Sequence, residues 1–146
     1  MRFVWVVVLL VGCTDSDVDT EDPFENYPDI RGHYNVQLQG TNGCENGPFL
    51  DWFNGPMLVE GDPDDLTFDM GDGQVMVGSV DESFAFQFGE ELDIDGVSEG
   101  VAASGVASAT DGTWTLDGEI SALVDEDGIE ANDCTIDGPF VATEID

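Results

Sequence analysis

From Gly32 to the C-terminus apolar residues recur at every second position, and no stretch places them at i, i+3, i+4 and i+7. A period of two belongs to an extended strand with one buried and one wet face, so the chain is expected to be all-β. The first run puts Tyr34, Val36 and Leu38 on one side and His33, Asn35, Gln37 and Gln39 on the other. A slip of one residue would turn the whole apolar set to water, which specifies the register strongly. Similar runs follow at Met57 to Glu60, at Leu66, Phe68 and Met70, at Val75 and Val77, at Phe84, Phe86 and Phe88, and at Leu92 and Ile94. Later come Val101 to Ala109, then Trp114, Leu116 and Ile120, and finally Ile129 to Val141, about eight or nine short strands in all.

Between the runs lie dipeptides suited to positive φ: Asp72-Gly73, Asp95-Gly96, Asp111-Gly112 and Asp127-Gly128, with Asn42-Gly43 after the first strand. Such short links predict an antiparallel meander closed into a small barrel or folded into a sandwich. Asp117-Gly118 and Asp137-Gly138 fall inside strands and read as bulges. Val101 to Ala109 is built from Ala, Gly, Ser and Val, which predicts close approach of another element.

Charge narrows the function. The chain has 33 acidic residues against two arginines and no lysine, for a net charge of −31. That excludes an electrostatic nucleic-acid binder. The same field is repelled by anionic lipid, so membrane attachment requires a hydrophobic anchor. Screening shortens from about 30 Å at 0.01 M salt to about 3 Å at 1 M, so the domain is expected to melt at higher temperature as salt is added between those limits. A thermal melt that does not move would refute self-repulsion as a significant cost.

The N-terminus offers such an anchor. Phe3 to Val11 is unbroken apolar sequence, and as a helix it would rise only about 14 Å against a hydrocarbon core of roughly 30 Å. It is too short to span and suits the apolar region of a signal peptide. Leu10-Val11-Gly12-Cys13 then resembles the lipobox of bacterial lipoproteins. The resemblance implies cleavage before Cys13, acylation of that cysteine and, with Thr14 rather than Asp following it, residence at the outer membrane of the cell envelope. Two or more acyl chains give stable attachment where one is marginal. Residues 1–12 are thus expected to be the signal peptide, residues 13–30 a lipidated cysteine with an acidic tether, and residues 31–146 the β domain.

With Cys13 assigned to lipid, Cys44 and Cys134 remain, and in an oxidising compartment they are expected to form one disulfide. It would enclose about 90 residues and bring the two ends of the meander together, worth up to about 4 to 5 kcal/mol on the chain-entropy model. Gly32-His33-Tyr34 loosely resembles the Gly-X-Trp that opens lipocalin strands, which implies, as an alternative, a carrier of a small apolar ligand. Phe84, Phe86, Phe88 and Trp114 are bulky enough to fill a small barrel instead.

The chemistry-bearing residues are sparse. His33 is the sole histidine and sits on the polar face of the first strand, a poor base for a Ser-His or Cys-His nucleophile. Neither a zinc ligand set nor a glycine-rich phosphate loop is present in the sequence. A pair of carboxylates suited to glycoside hydrolysis would arise by chance among so many acids and carries no specificity. Calcium is the sole cofactor candidate, through Asp93, Asp95, Asp125, Asp127 and Glu130 in tight acidic turns, though neither turn fits an EF-hand loop. A candidate binding loop holds Phe49, Asp51, Trp52 and Phe53 between two Asn-Gly-Pro turns, with a barrel cap as its simpler reading. The sequence therefore points to a non-enzymatic surface lipoprotein, a binding or envelope-structural module. Its expected partners are the membrane through the lipid and an envelope protein, glycan or small ligand; a calcium-dependent adhesion module is a further alternative.

Overall fold

A computed structural model describes residues 21–41, 50–94, 97–125 and 134–146. Among them eight strands form a closed antiparallel barrel in simple meander order. They are β1 (Gly32–Leu38), β2 (Gly55–Asp62), β3 (Asp65–Asp69), β4 (Val75–Val80), β5 (Ala85–Ile94), β6 (Val97–Thr110), β7 (Thr113–Asp125) and β8 (Cys134–Ile145). Closure is made by β1, which pairs with β2 on one side and β8 on the other, Val36 lying opposite both Gly55 and Ala142. A barrel rather than a sandwich results, and no strand is left as an open edge. The one described helical element is a 3-10 turn, Asp51–Phe53.

The expected alternation of β1 is present: Tyr34 and Val36 are buried while His33 and Gln37 are exposed. Two of the expected turns take the left-handed conformation that Asp-Gly favours, with φ of 53° and 84° at Asp72 and Gly73 and of 54° and 83° at Asp111 and Gly112. Their twist matches that of the flanking strands, which joins β3 to β4 and β6 to β7 by tight turns. Asp95-Gly96, Asp127-Gly128 and Asn42-Gly43 lie outside the described residues.

Aromatic rings fill the interior. One row of paired residues crosses the barrel wall as Val80, Phe86, Gly105, Gly118, Phe140 and Leu38 on successive strands from β4 round to β1. The two phenylalanines flank two glycines, and their rings reach over the gap to meet at 6.2 Å between centroids. In the next row Phe88 lies between Gly78 and Ala103, and it stacks on Phe68 at 4.3 Å. The small residues of β6 thus give the rings their room, and Val101 to Ala109 lies within the long strand β6, against an approaching element as expected.

Four expectations are corrected. Asp117-Gly118 and Asp137-Gly138 are not bulges, because their strands pair one to one through both sites. The glycines serve close packing: a Cβ on Gly118 would meet the Ser104 carbonyl and Phe86 Cζ, and one on Gly138 the Gly40 carbonyl. In β4 it is Met76 that is buried, while Val75 and Val77 are exposed; Met76 pairs with inward-facing Phe68, which sets the phase of that all-apolar run. Phe84 precedes β5, in a turn with φ of 68°, is 41 % exposed and packs on half-buried Trp114. Neither of these two rings fills the barrel. Finally, the packing begins before residue 31, because Pro28 and Ile30 are already buried and the Ile30 carbonyl accepts a 2.7 Å hydrogen bond from the Tyr34 hydroxyl. Phe24 and Tyr27 pack edge to face beside them.

The meander gives the barrel two unlike ends. The N-terminal segment, the β2–β3, β4–β5 and β6–β7 links and the C-terminus lie at the near end; the β1–β2, β3–β4, β5–β6 and β7–β8 links lie at the far end.

Candidate functional site

The far end is closed by the 3-10 turn that follows Leu50. That turn is held by backbone bonds from Phe53 to Leu50 and from Asn54 to Asp51. Asn54 also ties it to the barrel, its side-chain oxygen accepting a 2.8 Å bond from the Leu38 amide. Phe53 is fully buried, with its ring 5.0 Å from Phe140 and 6.1 Å from Phe88. Trp52 packs edge-on against Phe53 and lies half-buried, while Asp51 is exposed. The loop anticipated as a binding element is therefore, in its described part, a cap on the aromatic core. Phe49 lies outside the described residues.

Beneath the cap sits a residue that the sequence reading passed over. Glu99 is the one charged side chain buried among the described residues, at 0 % exposure. Its strand neighbours in register are Leu92 on β5 and Val124 on β7, both buried. The Trp52 indole Nε1 donates to Glu99 Oε2 at 3.0 Å, and Glu99 Oε1 has no hydrogen-bond partner. Burial pushes the carboxyl above its ordinary range, and the Trp52 hydrogen bond offsets part of that rise. The available signal was phase: Glu99 lies two residues before Val101 and four before Ala103, on the face that points inward. An acid on that face conflicts with the core it enters, and such conflicts concentrate at functional sites.

The remaining candidates occupy the same end or lie outside the described residues. Asp93 is exposed near the close of β5, and β7 closes on Asp125. Asp95, Asp127, Glu130 and Cys44 are outside the described residues. Among the described residues no group of three or more His, Cys, Asp or Glu is placed to hold a metal ion. Cys134 begins β8 opposite Val124, partly buried against the core.

No family model, curated protein or solved structure matches the chain.

Two further features bear on recognition. A shallow depression of about 590 Å³ crosses the outer wall from β4 to β8, with Gly89, Ala102 and Ser121 in its lining and Gln87, Glu119 and Asp137 supplying polar groups. At the near end, Arg31 is held by Asp29 through bonds of 2.6 and 2.7 Å. The pairing lowers the Asp29 carboxyl below its usual range, and it occupies the only lysine or arginine in the sequence after Arg2. Both groups are more than half exposed, so the pair orients the N-terminal segment more than it stabilises the fold.

Proposed function

We propose that the chain is a lipoprotein anchored through Cys13, with the barrel acting as a non-catalytic binding or envelope-structural module at the outer membrane. The observation that carries this reading is the polarity of the barrel. The N-terminal segment that leads back to Cys13 enters at the near end, whereas the Trp52 cap and the β1–β2, β3–β4, β5–β6 and β7–β8 links stand at the opposite end. An anchor at Cys13 leaves that far end directed away from lipid. The eight peptide units from Cys13 to Glu21 reach at most about 28 Å, so the domain stays close to the membrane surface while presenting its loops outward.

The aromatic filling by Phe53, Phe68, Phe86, Phe88 and Phe140 supports a module that binds on its surface over a lipocalin-like carrier, which needs an enclosed cavity. Its partner is then an envelope protein or glycan met at the far end or along the outer wall. A calcium-dependent version would draw on Asp93 and on the acids of the β5–β6 and β7–β8 links, and calorimetric titration with calcium tests it.

The anchor is tested by intact mass of the protein extracted from membranes of a bacterial host, before and after reduction. The expected product is cleaved before Cys13, carries acyl chains and gains two hydrogens on reduction, the signature of a Cys44–Cys134 bridge. A Cys13→Ser chain is expected to lack the acyl mass and to leave the membrane fraction. An unacylated wild-type protein would overturn the anchored reading.

A further inference from the structure

Glu99 has two possible protonation states and an environment suited to only one of them. A carboxylate taken out of water requires several hydrogen bonds or a cation, and Glu99 receives a single bond, from Trp52. No cation is at hand. Among the described residues the basic groups are Arg31, engaged by Asp29, and His33, exposed on β1; both lie at the near end. Among the described residues the surrounding elements bring no basic group to it. β5 supplies Leu92 with Glu91 and Asp93 beside it, β7 supplies Val124 and ends at Asp125, β8 supplies Cys134, and the 3-10 turn supplies Trp52 with Asp51 beside it. Burial with a single hydrogen bond and no cation disfavours the charge, so the neutral acid is the state that fits a closed cap.

We propose that Trp52 and Glu99 form a proton-dependent latch on the far end of the barrel. With Glu99 neutral the Trp52 turn stays seated. When the proton passes to water, the carboxylate gains by hydration, and the turn that covers it lifts. Because Phe53 belongs to the same three-residue turn and plugs the barrel above Phe88 and Phe140, lifting it uncovers an aromatic surface at the end that faces away from the N-terminal segment. The latch couples external pH to the exposure of that surface.

Linkage sets the sign and shape of the response. Closing the latch raises the Glu99 pKa, so the closed state binds more protons than the open one. Opening should then increase about tenfold per pH unit between the ordinary glutamate value of about 4.3 and the closed-state value, and level off above it.

The test follows the protection factor of the Trp52 indole N–H by NMR on the whole protein, assigned through a Trp114→Phe variant and, where residues 1–12 are retained, a Trp5→Phe variant. Protection in the wild type is expected to fall by that slope as pH rises and then to plateau. In Glu99→Gln, whose amide oxygen accepts the same indole bond, protection should be independent of pH. A wild-type protection factor flat with pH, or the same slope in Glu99→Gln, would overturn the latch. Should Glu99→Gln fail to fold, carboxyl-carbon NMR on the wild type decides instead. Glu99 titrating above the ordinary glutamate range, together with the Trp52 change, supports the latch, and titration within that range refutes it.

Discussion

Replacing Phe140 by alanine is expected to destabilise the protein by about 3 to 5 kcal/mol, enough to unfold a domain of ordinary marginal stability. Phe140 is fully buried and is the residue on which three other rings converge: Phe53 from the cap at 5.0 Å, and Phe86 and Phe88 from β5 at 6.2 Å each. Its loss removes ring contacts on every side. The space cannot be refilled by the neighbours across the wall, because its partner in β7 is Gly118 and the next is Gly105, neither of which has a side chain to move into the gap. The cavity term should therefore fall at the upper end of the range for aromatic deletions. Urea unfolding followed by ellipticity checks this, and a loss below about 1 kcal/mol would show that the ring row is not the centre of the core.

The second large effect is expected from adding a single methyl group. A Cβ on Gly105 would lie 2.5 Å from Gly118 Cα and 2.7 Å from Phe86 Cζ, and closer still to the Asp117 carbonyl oxygen. Two of those neighbours are backbone of a paired strand and cannot yield cheaply. Gly105→Ala is accordingly expected to cost about 1 to 3 kcal/mol by overpacking. Gly100, in the same strand but exposed, has its nearest atoms 4.0 Å away on Leu123. Gly100→Ala should be neutral or stabilise by about 0.4 to 1 kcal/mol through the unfolded chain. The contrast between the two variants, measured in the same urea experiment, separates steric conflict from strand propensity. Phe86→Leu is expected to recover part of the Gly105→Ala loss, since it shortens the side chain that the new methyl meets. Absence of any recovery would place the conflict wholly in the backbone.

These variants also mark where sequence patterning stops being informative. The glycines of Asp117-Gly118 and Asp137-Gly138 look the same in the sequence as those of Asp72-Gly73 and Asp111-Gly112, and a turn-forming dipeptide inside a strand reads naturally as a bulge. The distinction depends on what stands across the wall. Phe86 reaches over Gly118 and the Gly40 carbonyl approaches Gly138, so both glycines are required for clearance and not for positive φ. Likewise Val75, Met76 and Val77 are all apolar, so alternation could not choose a face there; pairing with Phe68 did. Phe84 continues the alternation of Phe86 and Phe88, yet it lies in the turn before β5, and its ring settles on Trp114 at the near end.

What the amino-acid order alone determined is the class and sense of the fold. A period of two through most of the chain, broken by residues able to adopt positive φ, leaves a meander of antiparallel strands as the consistent outcome, because local geometry sets both the alternation and the turns. The inward phase of β1 and the two left-handed Asp-Gly links followed from the same local rules. Only the tertiary structure decided that the sheet closes on itself, that phenylalanine rings span paired glycines at its centre, and that Glu99 lies sealed beneath Trp52. Those outcomes depend on volumes and on groups brought together from 47 residues apart, as Trp52 and Glu99 are. Non-local packing is set by how far strands coil before they meet, a quantity that no short window of residues encodes.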